Sequence, residues 1–223
     1  MLQSAAVLAQ NTEFGGVSFN SHTVRIQEKA ESLYTQGHWK RAHFIYANEL
    51  ATIGDKYAQY MIGYMYVNGQ GVPKDPVTAS AWYRVAAERG APQFAAARDQ
   101  LLESLGPDEL AMSDARYVEL RKKYSDVIIA LVRLREERRA LGENTTGSRL
   151  GGGTSPVIVI ELPDGLSMTR EQYLSRGDAK MQVWLNVIVG ELGIEPIRAN
   201  FTEKEFEDLV AKVDEFLEII DDR

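Results

Sequence analysis

Side chains that could do chemistry are sparse in this 223-residue sequence. There is no cysteine, which excludes a disulfide scaffold, a thiolate zinc site and a cysteine nucleophile. The histidines are His22, His38 and His43, and the last two are not spaced to share one helical face as metal ligands would. The HExxH, Ser-x-x-Lys and Gly-x-Ser-x-Gly motifs are missing from the sequence. We therefore predict no metal site and a protein that is not an enzyme.

Two glycine-containing segments are spaced like phosphate-binding loops. Gly69-Gln70-Gly71 lacks the third glycine of a dinucleotide fingerprint, and no Lys-Ser/Thr pair follows it. Gly142 and Gly147 have the spacing of a Walker loop, but Ser148-Arg149 stands where that loop needs Lys-Ser/Thr. We interpret the first segment as a turn and the second as a linker, and we predict no cofactor.

Charge is divided unevenly along the chain. Residues 1–142 carry 17 Lys and Arg against 16 Asp and Glu, whereas residues 143–223 carry 8 against 16. An acidic second part repels phosphates, so nucleic acid is not an expected partner. We expect the carboxylates on exposed faces, where pKa values stay ordinary. No apolar run approaches the ~20 residues of a membrane-spanning helix, so no integral membrane segment is expected.

An internal repeat supplies the elements that would position functional side chains. At an offset of 36 residues the chain superposes three similar pairs, Tyr46 and Trp82, Ala51 and Ala87, Gly54 and Gly90. Each glycine of the last pair ends an amphipathic helix. Further helices are predicted at about 24–36, 55–67 and 92–104. Antiparallel helix pairs of this length predict a mainly α fold, a short α-solenoid.

Residues 58–90 carry the repeat pattern most completely. The signature positions are filled by small residues at helix contacts, by large aromatics and by a glycine-containing turn before an aspartate. They are Gly63, Tyr66, Gly69, Gly71, Asp75, Ala79, Trp82, Ala86, Ala87 and Gly90. This segment resembles the Sel-1-like repeat, a relative of the tetratricopeptide repeat with a longer loop between its helices. The unit 24–54 is more similar to an ordinary tetratricopeptide unit, because its turn is short. The resemblance covers about 80 residues and does not extend to 143–223.

The resemblance implies a curved groove of stacked helices that holds a protein or peptide partner. The chain would then be a non-enzymatic adaptor or scaffold, whose preformed helices bind without an ordering cost. Helix 55–67 is expected to line the groove, with Tyr57, Tyr64 and Asn68 as exposed binding residues. A surface tyrosine of a repeat is also commonly part of the core, so both interpretations stay open.

A long helix is predicted over residues 108–141, and it completes the repeat domain 21–142. Its apolar stripe consists of Tyr117, Leu120, Tyr124, Val127, Leu131 and Leu134. Such a stripe caps the open end of a solenoid or pairs with a second copy as a coiled coil. A structural subunit that forms a homodimer through the 117–141 stripe, or through the C-terminal helix, is the alternative function. The arginines between 133 and 139 are expected on a solvated face or against the acidic second half.

A Gly-rich linker, 143–156, is predicted to lead into an acidic α+β module, 157–223. A strong turn signal at 163–165 lies between residues 157–162 and 166–169. This pattern predicts a β-hairpin that packs on helices. An enzyme with its site in this module is a less favoured alternative, since the module has no histidine.

Two helices are predicted in this module. Residues 179–192 are apolar nearly all round, which is typical of a buried helix. The final helix starts at a capping box of Thr202 and Glu205, with Phe201 and Phe206 at the hydrophobic-staple positions.

The first 20 residues are predicted to be a tail. Val7 and Ala9 are small residues at the two positions that signal peptidase reads. The tail is then either a signal-peptide remnant of a periplasmic or otherwise exported bacterial protein, or the frayed end of a cytoplasmic one.

Overall fold

A computed structural model describes residues 21–145, 159–161 and 167–218, and these residues are mainly helical. The chain divides into two compact units. The described residues of the first unit are 21–129 and 214–218, and those of the second lie within 130–213. The predicted tail, the linker beyond residue 145 and the predicted turn 163–165 lie outside the described residues.

Six helices form most of the first unit. They are α1 (Ser21–Thr35), α2 (Trp39–Ile45), α3 (Lys56–Asn68), α4 (Pro76–Ala86), α5 (Pro92–Glu103) and α6 (Pro107–Tyr124). A π-helical turn, Tyr46–Leu50, and a 3-10 turn, Ala51–Ile53, extend α2, and a 3-10 turn, Ala87–Arg89, extends α4. The predicted ends at Gly54 and Gly90 are confirmed, because both glycines have a positive φ directly after these turns.

These helices are arranged in two layers. Side chains of α3 contact α1 and α5 on either side, and α4 packs on α3, α5 and α6. The core between the layers includes Tyr46, Leu50, Ile62, Met65, Trp82 and Val85. This arrangement is that of a short helical solenoid, and the predicted mainly α class is confirmed.

The loop between α3 and α4 is closed by side-chain capping and by a close backbone approach. Asp75 accepts a hydrogen bond from the Thr78 backbone N–H (2.9 Å), and Pro76 occupies the first turn of α4. Gly71 has φ +76°, and a Cβ there would lie 2.6 Å from the carbonyl carbon of Trp39. The loop therefore lies directly on the start of α2.

The prediction of one helix over 108–141 is wrong. The chain is extended at Ser125 (ψ 155°), so α6 ends at Tyr124 and a separate helix, α7 (Asp126–Thr145), follows. The break places the carboxylate of Asp126 2.7 Å from Nε of Arg89. The other end of α7 also differs from the prediction, since the helix runs three residues into the predicted linker.

The two apolar stripes expected to drive dimerisation are covered within the chain. Tyr124, Val127, Leu131 and Leu134 are at most 7% exposed. On the last helix, α9 (Glu203–Glu218), the stripe residues Leu209, Val213 and Leu217 are also buried. Most of each stripe is therefore buried, whereas Tyr117 and Leu120 of the first stripe are partly exposed.

The second unit contains a short strand pair and a long helix. Strand β1 (Val159–Glu161) pairs antiparallel with β2 (Ser167–Thr169), and Ile160 lies opposite Met168. Helix α8 (Arg170–Leu192) begins nine residues before the predicted start, because Thr169 and Gln172 form a capping box. Only one face of α8 is buried, so the prediction of a helix buried nearly all round is wrong; the buried residues are Gly177, Met181, Leu185 and Ile188.

Aromatic and charged side chains join α7 to α9 within the second unit. The predicted capping box is confirmed, since the Thr202 N–H donates to Glu205 (2.6 Å), and Phe201 stacks on Phe206 at 5.8 Å. The guanidinium of Arg138 lies 4.1 Å from the Phe206 ring and pairs with Glu203. For Arg138, the alternative that placed the arginines against the acidic second half is confirmed.

Candidate functional site

The least buried face of α3 carries three tyrosines and an asparagine at helical spacing: Tyr57, Tyr60, Tyr64 and Asn68. The opposite faces of this helix are in the core, with Ala58, Met61, Ile62 and Met65 all buried. Helix α3 is therefore fixed in the core by its buried side, and its least buried side carries these three tyrosines and Asn68.

Aromatic rings continue from this face onto both neighbouring helices. The Tyr34 ring of α1 meets Tyr64 edge-on at 6.5 Å, and Tyr64 is 6.4 Å from Tyr60. Tyr60 in turn stacks on Phe94 of α5 at 5.2 Å. We call these four residues the aromatic row, and it crosses the whole layer formed by α1, α3 and α5.

Two local features orient the row. A Cβ at position 63 would lie 2.6 Å from Cδ1 of Tyr83, so glycine there lets that ring lie against α3. From this position Tyr83 stacks on Tyr60 at 5.2 Å. At the other end, the Tyr34 hydroxyl donates to Oε1 of Gln70 (2.7 Å), which fixes the ring on α1.

The three residues that were expected to be exposed, Tyr57, Tyr64 and Asn68, have different surroundings in the structure. Tyr57 is half-buried, and its hydroxyl donates to Oε2 of Glu31 (3.0 Å), which also accepts from Tyr46 (2.9 Å). Burial raises the pKa of Tyr57, and the Glu31 carboxylate adds to the rise. Tyr57 is therefore only partly exposed, as Tyr64 is, and its hydroxyl helps join α1 to the core.

Tyr64 and Asn68 remain on the open face. Tyr64 is half-buried and Asn68 is exposed, and the Asn68 amide donates to the Tyr64 carbonyl (2.8 Å). Tyr34 and Tyr60 were missed by the sequence analysis. Tyr60 could have been found, since it lies three residues after Tyr57 and four before Tyr64 on the same helical face.

An ionic cluster lies at the junction of α3, α4 and α7. Lys56 is 1% exposed, and its Nζ lies 2.7 Å from Glu88 and 3.0 Å from Asp126. It also donates to the Val85 carbonyl (2.9 Å). Arg89 completes the cluster with Nε and one terminal nitrogen on the two oxygens of Asp126.

Carboxylates were expected on exposed faces with ordinary pKa values, and for three of them this is wrong. Burial raises the pKa of Asp55, which accepts from Gln27 and from the Ala58 N–H. Burial also raises the pKa of Glu88, to about 7. At Asp126 burial acts to raise the pKa, but Lys56 and Arg89 outweigh it and the pKa is lowered. Since the carboxylates accept from neighbouring helices, we assign the cluster a structural role.

His43 is half-buried. Its ring meets Tyr66 edge-on at 5.7 Å, and burial lowers its pKa. Among the described residues, no group of three or more His, Asp or Glu is placed to hold a metal ion. No helix within the described ranges is both long and apolar enough to cross a membrane.

The Sel1 repeat family model matches residues 56–90, from the first residue of α3 to the glycine after α4. The chain therefore contains a Sel1 repeat, and the resemblance drawn from the signature residues is confirmed. No curated protein and no solved structure is significantly similar to this chain.

Proposed function

We propose that this Sel1 repeat chain is a non-enzymatic adaptor that binds an extended peptide segment of a partner protein across the aromatic row. The observation that carries the proposal is the row itself, because the partly exposed rings of Tyr34, Tyr64 and Tyr60 continue from α1 across α3. At the α5 side, Tyr60 stacks on the buried ring of Phe94. A Sel1 repeat supports a role in protein–protein interaction in general terms, and the row supports the particular face.

The residues of the row suit peptide binding. Tyr34, Tyr60 and Tyr64 are partly exposed, and a tyrosine offers apolar area and a polar hydroxyl with few rotatable bonds to order. Their stacking fixes the rings before a ligand arrives, which reduces the entropy lost on binding. Centroid steps of 6.5 and 6.4 Å between these three partly exposed rings give room for roughly four residues of an extended chain, at about 3.3 Å per residue.

The test begins with peptides selected by display against the full chain, whose affinities are then measured by fluorescence anisotropy. In the double variant Tyr34→Ala/Tyr64→Ala we expect binding about tenfold weaker or worse, since two aromatic contacts are lost. The matched control is Met112→Ala, which removes a large apolar side chain that is 62% exposed on α6, outside the aromatic row. We expect this control to bind the same peptides as the unaltered chain does.

Two outcomes contradict the proposal. Selection could enrich no peptide, or the double variant could bind as well as the control. Thermal unfolding of both variants separates loss of binding from loss of fold, a necessary check because Tyr34 also packs against the core.

The predicted location stays a proposal. Val7 and Ala9 support export to the periplasm or beyond, with the cytoplasm as the alternative. Fractionation of cells that express the full chain, with N-terminal sequencing of the mature protein, tests this: cleavage after Ala9 supports export, and an intact cytoplasmic chain contradicts it.

A further inference from the structure

A second exposed surface lies on α2, in the layer opposite the aromatic row. Trp39 is 41% exposed and Phe44 is 60% exposed, although both are large and apolar. Lys40 and Arg41, which follow Trp39 directly, are exposed as well. Exposed aromatic rings and cations on one short helix are typical of an interaction surface.

The loop between α3 and α4 adds a third cation to this surface. Gly71 lies against the backbone of Trp39 and Lys40. Lys74 is exposed three residues further along the loop, so its backbone is within about 10 Å of that contact. We call Trp39, Lys40, Arg41, Phe44 and Lys74 the α2 patch.

The positive charge of the α2 patch is not neutralised by the described residues. Lys40, Arg41 and Lys74 form no ion pair with any residue that the structure describes. The carboxylate nearest in sequence, Asp75, accepts from the backbone N–H and the hydroxyl of Thr78 at the start of α4. Three unpaired cations beside two exposed rings stand out in a chain with a net charge of -7.

We propose that the α2 patch binds an acidic peptide segment in which carboxylates flank apolar side chains. The carboxylates complement Lys40, Arg41 and Lys74, while the apolar side chains cover Trp39 and Phe44. An anionic membrane is the less favoured partner. A broad anionic surface brings its charge within a Debye length of about 8 Å of more of this net-negative chain than a short peptide does.

The experiment uses the full chain and a fluorescent probe peptide in which glutamates flank a leucine and a phenylalanine. We expect saturable binding that weakens as salt rises and that is about tenfold weaker in Lys40→Glu/Arg41→Glu. Phe44→Ser should also weaken it. The matched control, Lys204→Glu/Lys212→Glu, makes the same change in net charge at exposed lysines of α9, and we expect it to keep most of the affinity.

The probe with lysines in place of glutamates should not bind, and vesicles containing phosphatidylserine should not compete with the acidic probe. The proposal is overturned if the two charge-reversed variants lose affinity equally, if the acidic probe does not bind, or if binding to vesicles alone depends on the α2 patch. The aromatic-row variant Tyr34→Ala/Tyr64→Ala should bind this probe normally, which distinguishes failure of this proposal from failure of the proposed function. Unchanged thermal unfolding of the variants shows that the fold is kept.

Discussion

Single residues in this protein carry more charge into the interior than the sequence indicated. Lys56, Glu88 and Asp126 come from parts of the chain that are far apart. The positive charge of Lys56 compensates the negative charges of Glu88 and Asp126. The local sequence around Lys56 gives no sign of its burial, because its partners are 32 and 70 residues away. Pairing of this kind depends on how helices stack, which the pattern of one helix does not show.

The substitution Lys56→Met tests this account of the interior. It leaves Glu88 and Asp126 buried with less compensation, and we expect the free energy of unfolding to fall by about 3–5 kcal/mol. The matched control is Lys122→Met, since Lys122 is 47% exposed and pairs with the exposed Glu218. There we expect a loss below about 1 kcal/mol. Urea unfolding measures both, and similar losses would show that the cluster is not a buried compensating set.

The pH dependence of stability should reflect Glu88. Its pKa is raised from 4.5 to about 7 in the folded chain, so within this interval the folded chain retains a proton that the unfolded chain has released. The free energy of unfolding attributable to Glu88 therefore falls as pH rises from about 4.5 to about 7. His43, whose pKa is lowered, acts in the opposite direction.

The test measures the free energy of unfolding of the unaltered chain and of Glu88→Gln at a series of pH values. We expect the difference in unfolding free energy between the two proteins to change across this interval and to be flat below it. If the two curves run parallel from acid to neutral pH, Glu88 does not titrate as described.

At the scale of elements, helix boundaries were predictable where a local signal specifies them. Glycines end the turns after α2 and α4, and Thr202 with Glu205 starts α9. The capping box at Thr169 also marks the start of α8 in the sequence. The prediction placed the start at residue 179 instead, where the apolar run begins. The break at Ser125 had only a short local signal, a serine followed by Asp126 in the first turn of α7, and it accompanies contacts that Asp126 makes with α3 and with the turn after α4.

The contact between the α3–α4 loop and α2 yields a prediction for Gly71→Ala. The new methyl group would add a collision with the Trp39 backbone to an unfavourable positive φ. At Gly90 the φ is also positive (+69°), but a Cβ meets nothing within 4 Å. We expect Gly90→Ala to cost about 1 kcal/mol and Gly71→Ala at least twice that. Equal midpoints in denaturant would contradict the described contact.

At the scale of the whole molecule, the aromatic row belongs to no single helix. Tyr64 and Asn68 were predicted from α3 alone, whereas Tyr34 joins the surface only when α1 stacks beside it. The buried Phe94 supports Tyr60 only when α5 does the same. The repeat signature predicted that stacking, but it did not predict which rings would meet. Tyr57 lies on the same face and is nevertheless held by Glu31, a partner that only the packed structure supplies.

The central claim is that a peptide lies across α1, α3 and α5. The most direct test is photo-crosslinking of a display-selected peptide, carrying a benzophenone group, to the full chain, with the adducts located by mass spectrometry. The account predicts adducts within residues 21–35, 56–68 and 92–103, and their loss in Tyr34→Ala/Tyr64→Ala. Adducts confined to residues 167–218 would contradict it and would place recognition in the acidic C-terminal part of the chain.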